Sequence, residues 1–173
     1  MSKALLLLLI PLLVSCSFVD EEDTEHDKEQ HPDLILENTE YILGQSGESP
    51  VYIQSARIAL WSGEDKAETG SLSFCQLDED GEIAISGKAG HAVINTETKV
   101  LELSGDVVFQ SMDGNMRIEA GSLVFDSGNE ELSSEGNVSV SSDDGTFEGE
   151  GFHADLVNSA YTFSAITKGT IVL

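Results

Sequence analysis

Apolar and polar residues alternate along most of the chain beyond residue 50. The pairs Ile83/Ile85, Leu101/Leu103, Val107/Phe109, Met116/Ile118, Val138/Val140 and Tyr161/Phe163 stand two apart, the period of a strand with one face turned inward. Each run is bounded by Gly, Asp, Asn or Ser, residues that favour turns. No 12-residue stretch carries a convincing helical stripe. No proline occurs after Pro50, and all 16 glycines lie from Gly44 onward. The pattern predicts an all-β domain of many short strands over residues 41–173.

The runs also repeat. A shift of about 31 residues brings Ala89 onto Ala120, Ile94 onto Phe125, Leu101 onto Leu132, Gly105 onto Gly136 and Val107 onto Val138. The pairs Asp80-Gly81, Asp113-Gly114 and Asp144-Gly145 are hairpin signals, because Gly accepts positive φ and Asp closes local turns. One such unit cannot bury its apolar face alone, but stacking on the next unit can. Alternation puts Phe74, Ile83, Ile85, Ile94, Leu103, Phe109, Ile118, Phe125, Val140, Phe147, Phe163 and Ile171 on the inner side. Two stacked antiparallel sheets of this kind enclose an apolar slot. An open slot makes a carrier; a filled one makes a structural protein.

Charge narrows the partners. The chain has 32 Asp+Glu against 8 Lys+Arg, a net charge of -24. Nucleic-acid binding needs clustered cations and is excluded; electrostatic docking onto anionic lipid is disfavoured. The first residues read as an export address. Lys3 precedes an apolar run, Ala4 to Val14, that is too short to span a bilayer, which needs about 20 residues. Leu13-Val14-Ser15-Cys16 resembles a bacterial lipobox, which implies a signal peptide over residues 1–15 and a lipidated Cys16. Several acyl chains on one residue make a durable anchor, at about 0.8 kcal/mol per buried CH₂. Asp20 to Glu40 then holds ten acidic residues and one Lys. Such a block repels itself and extends, so residues 16–40 read as a tether, with a reach of roughly 25 Å for about 20 flexible residues.

Candidate chemistry is sparse. Glu25, His26, Asp27 and His31 have nothing to fix a metal geometry. A calcium loop starting at Asp78 lacks the Glu it needs at its twelfth position, where Ala89 stands. Gly149 to Ala154 fits a G-x-G-x-x-A string but lies in a strand pattern, where a phosphate site needs a helix N-terminus. Cys75 has no base beside it, and His91 and His153 belong to no Ser/His/Asp grouping. No catalytic residue, metal or cofactor is assigned.

Several stretches are similar to the OstA-like/LptC family of lipopolysaccharide transport proteins. They are Val51 to Ala56, Asp80 to Ile83, Lys88 to Ala92, Leu101 to Val107, Asp113 to Ala120, Gly136 to Val138 and Gly149 to Asp155. The resemblance covers about residues 51–173 and rests on the order and spacing of motifs that are singly degenerate. It implies a β-jellyroll with a V-shaped apolar interior that holds acyl chains of lipopolysaccharide or a related glycolipid. The implied partners are an LptB/LptF/LptG-like ABC transporter and an LptA-like periplasmic protein, reached by edge-to-edge stacking, with no chemistry on the cargo. The lipid-binding interior would include Phe74, Ile85, Ile94, Leu103, Phe109, Ile118, Phe125, Val140, Phe147 and Phe163. Docking strands would lie around Val51 and Ile53 upstream and Tyr161, Phe163 and Ile171 downstream. The family's well-known members use a transmembrane anchor. Here lipid on Cys16 implies the periplasmic face of the inner membrane, with Ser17 leaving the outer membrane open. The other reading is a structural or surface β-rich lipoprotein without cargo.

Overall fold

The computed structural model describes residues 31–44, 49–112 and 115–171. Lipidation at Cys16, the signal peptide and the acidic stretch before residue 31 lie outside them, as does the Asp113-Gly114 turn. Nine strands form one antiparallel sheet in strict chain order. They are β1 (Leu34–Leu43), β2 (Val51–Trp61), β3 (Lys66–Leu77), β4 (Ile83–Asn95), β5 (Val100–Ser111), β6 (Met116–Asp126), β7 (Glu131–Ser142), β8 (Gly145–Asp155) and β9 (Ala160–Ile171). The all-β jellyroll-like class agrees with the alternation. The two expected sheets are, however, the halves of one continuous ladder.

A single sheet without helices can bury a face only by folding on itself. The strands do this by creasing near their middles. The register shifts by one between Lys88 and His91 of β4, between Ser104 and Val107 of β5, and between Ser134 and Asn137 of β7. An extra residue in one strand bends it, and it also exchanges the two faces of the residues beyond it. In β6 the buried positions are Met116 and Ile118 before the crease but Leu123 and Phe125 after it. In β4 they pass from Ile85 and Ala89 to Ala92 and Ile94. The phase slip keeps the apolar side chains of both halves on one side. Each strand thus contributes to two facing leaves. One leaf holds Ile53, Phe74, Phe109 and Ile118; the other holds Ile94, Leu101, Phe125 and Leu132.

Ring contacts across the fold establish that the leaves meet. Phe74 and Phe125 belong to non-adjacent strands and opposite leaves, yet their ring centroids are 6.1 Å apart. Phe109 and Phe125 stand edge to face at 5.4 Å.

Repeated turns close one end of the ladder. Asn95 Oδ1 accepts hydrogen bonds from the backbone N–H of Glu97 and Thr98. Asp126 does the same for Gly128 and Asn129, and Asp155 for Asn158. Each turn ends on a left-handed residue, Lys99, Glu130 or Ser159. Such short polar side chains mimic a backbone turn. At the opposite end Gly81, at φ 84, turns β3 into β4.

The folded unit begins at Pro32. Leu34 to Glu40, assigned above to the tether, is therefore strand. Leu36 and Tyr41 of β1 pack against the core and Leu43 is buried within it. The edge position tolerates the intervening Glu37 and Glu40, which face solvent.

Candidate functional site

The interior is largely apolar and, in its middle, filled. Phe74, Ile85, Ile94, Leu103, Phe109, Ile118, Phe125 and Val140, all expected inside, are at most 5% exposed. Ile83 and Ile171 are not inside; they are 49% and 65% exposed. Ile83 opens β4 next to the register shift between Gln76 and Leu77, where the ladder ends. Ile171 lies in the part of β9 that no opposing leaf covers.

Toward β8 and β9 the packing loosens. Phe147, Tyr161 and Phe163 are half-buried, while Phe152 is enclosed. Their rings form a second cluster: Phe152–Phe163 at 5.3 Å, Tyr161–Phe163 at 6.1 Å and Phe147–Tyr161 at 6.2 Å. Phe147 lies before the crease of β8 and Tyr161 pairs after it, so this cluster also spans the leaves. Beyond Phe163, β9 is exposed along its length. The aromatic cluster is thus a partly exposed margin of the apolar interior, the mouth at which its ring surface meets solvent. What it offers chemically is contact area for hydrocarbon, with the Tyr161 ring at its rim.

The sheet has two edges. Tyr161, Phe163 and Ile171 lie on β9, at the downstream edge. Val51 and Ile53 do not lie at the upstream edge. They are fully buried, and β1 covers them through the pairs Leu43↔Val51 and Tyr41↔Ile53. The upstream edge is β1. Its free backbone groups, like those of β9, could pair with another strand. Asn38, at φ 47, interrupts β1 midway.

Other candidates do not converge. A hollow of ≈ 850 Å³ lies beside the crease where Gln54, Ser73 and Lys88 point outward. Its lining mixes polar side chains such as Gln54, Ser73 and Lys88 with Ala56, Leu72 and Ala89. His91 sits on the outer surface with Nε2 3.6 Å from Glu68 Oε1, and His153 is exposed on β8. Cys75 is half-buried and pairs with Tyr52 across the strands. Trp61 carries the Lys66 ammonium 4.6 Å above its ring. No group of three or more His, Cys, Asp or Glu side chains among the described residues could hold a metal ion. Among the described residues, two ionisable groups shift. Burial raises the Tyr41 phenol. Hydrogen bonds from the Asn158 side chain and backbone lower the Asp155 carboxyl.

The mouth was not legible as such in the sequence, because alternation gives Phe147 and Phe125 the same weight. Only the place of β9 at the end of the ladder distinguishes them. Comparison with known families finds one described as "Lipopolysaccharide-assembly, LptC-related", whose model matches residues 4–172. No curated protein matches the chain.

Proposed function

The chain belongs to the LptC-related family of lipopolysaccharide-assembly proteins, and from that membership we propose that it is a membrane-anchored periplasmic component of a glycolipid export bridge. In this reading Cys16 carries the lipid anchor on the periplasmic face of the inner membrane. The acidic stretch spaces the domain from the bilayer. The apolar interior holds acyl chains received from an LptB/LptF/LptG-like ABC transporter and releases them to an LptA-like protein across the β9 edge. No bond in the cargo is made or broken.

The observation that carries this reading is the aromatic mouth at β8/β9, because it joins an apolar interior to a free strand edge. A chain moving between stacked domains needs both at one place. At a net charge of -24 the protein repels lipid phosphates unless divalent ions bridge them. Holding the cargo would therefore rest on apolar burial, about 0.8 kcal/mol per CH₂. A photocrosslinking residue at Phe163 should label lipopolysaccharide in growing cells, and one at exposed Glu102 should not. Equal labelling at both positions, or none at either, would sink the reading.

The packed middle of the interior favours a second reading, a β-rich structural lipoprotein without cargo. Titration of the purified chain with extracted lipopolysaccharide separates the two. Saturable binding supports transport, and its absence supports the structural role.

A further inference from the structure

We propose that Phe74, Phe109 and Phe125 form a latch between the two leaves, and that an acyl chain passes from the interior toward the β8/β9 mouth only when these rings part. The movement of cargo rests on the transport reading; the latch itself does not.

The triad joins the two leaves through direct ring contacts. Phe74 and Phe109 come from one leaf, 6.0 Å apart, and Phe125 from the other. All three are at most 3% exposed. The Phe74 ring lies over Gly87, its partner on β4, where a side chain would displace it. Nothing but side-chain contact joins the leaves here, because the backbone ladder runs along each leaf and bends only at the crease. The crease is also where pairing lapses. Ala89 and Gly90 have no partner on β5, and Gly105, Asp106 and Val107 opposite them have none on β4. Gly105 and Asp106 have φ of 77° and 51°. Where the pairing lapses, as between β4 and β5, the sheet can change its angle with few ladder hydrogen bonds to lose.

The energetic balance suits a two-state device. Rings packed on rings and rings packed on hydrocarbon bury similar apolar area. An acyl chain of sufficient length can therefore replace the contacts it breaks. Ligand then shifts the population toward the parted state to the extent that it binds that state better. At rest the β8/β9 end is partly exposed and the middle is shut, so a chain that has passed the rings would rest against Phe147, Tyr161 and Phe163 before its release.

Spin labels report the angle between leaves directly. Cysteines introduced at Ser73 and Val124, outward-facing on opposite leaves, are labelled in the full chain after both native thiols are changed (Cys16→Ser, Cys75→Ser). With the triad intact, one short distance population is expected. Phe125→Leu and Phe109→Leu, which keep most of the apolar volume, should each add a longer population, and palmitate should shift the intact protein toward it. An unchanged distribution in both folded variants overturns the latch. Opening in the variants with no response to palmitate upholds the latch and counts against the transport reading.

Discussion

Phe109 has no exposed surface and touches rings from both leaves. Phe109→Ala should cost about 3–5 kcal/mol, the loss expected when a large buried ring is removed and the cavity cannot fully collapse. Urea unfolding followed by circular dichroism measures it. Gly87→Ala acts in the opposite sense, by overfilling. The new methyl would meet the Phe74 ring and lie 2.8 Å from the Val108 carbonyl oxygen. Part of that obstacle is backbone, so a loss of about 1–3 kcal/mol is expected. At the surface, Asp155 is a smaller but cleaner test. Its folded carboxyl ionises below the ordinary range because Asn158 bonds the charged form. A depressed carboxyl stabilises the fold above its unfolded pKa, and that contribution fades as pH falls through the folded value. Asn158→Ala should raise the Asp155 pKa toward its ordinary value, as seen by carboxyl NMR titration. It should also lessen any acid sensitivity of the β8–β9 turn, the bond from the Asn158 backbone N–H remaining.

Single strands show how far patterning can be trusted. From β2 to β8 the alternation was readable because each strand buries one face against the other leaf. β1 was hidden because Glu37, Asn38 and Glu40 break its apolar period, although Leu36, Tyr41 and Leu43 keep it attached to the core. Its importance is testable. A chain starting at Ser49 exposes the β2 edge and should scatter light and melt at lower temperature than one starting at Pro32. Equal melting would mean that β1 only decorates the sheet. The creases escaped notice for a related reason. They fall on Gly, Ser and Asp, which carry no hydropathy signal, and a one-residue slip reverses every later side chain without changing composition. The turns were half visible. Asn95, Asp126 and Asp155 recur close to the 31-residue period, but their role as turn-closing acceptors depends on the left-handed residues Lys99, Glu130 and Ser159. Ile83 and Ile171 fit the alternation yet miss the core, because period alone cannot tell where the opposite leaf ends.

At the scale of the molecule, charge and topology set the behaviour. A net charge of -24 on the whole chain, with few ion pairs described between the side chains of its domain, implies self-repulsion in the compact state. Added salt shortens the reach of that repulsion to about 8 Å at 0.15 M. The melting temperature should therefore rise with sodium chloride between dilute buffer and physiological ionic strength; a flat or falling profile would show that the repulsion is already offset. The strand order has a further consequence. Every strand neighbours only those next to it in the chain. A polypeptide threading slowly through a narrow channel, leading end first, could zip up hairpin by hairpin as it emerges. None of its strands need wait for a distant partner still on the far side.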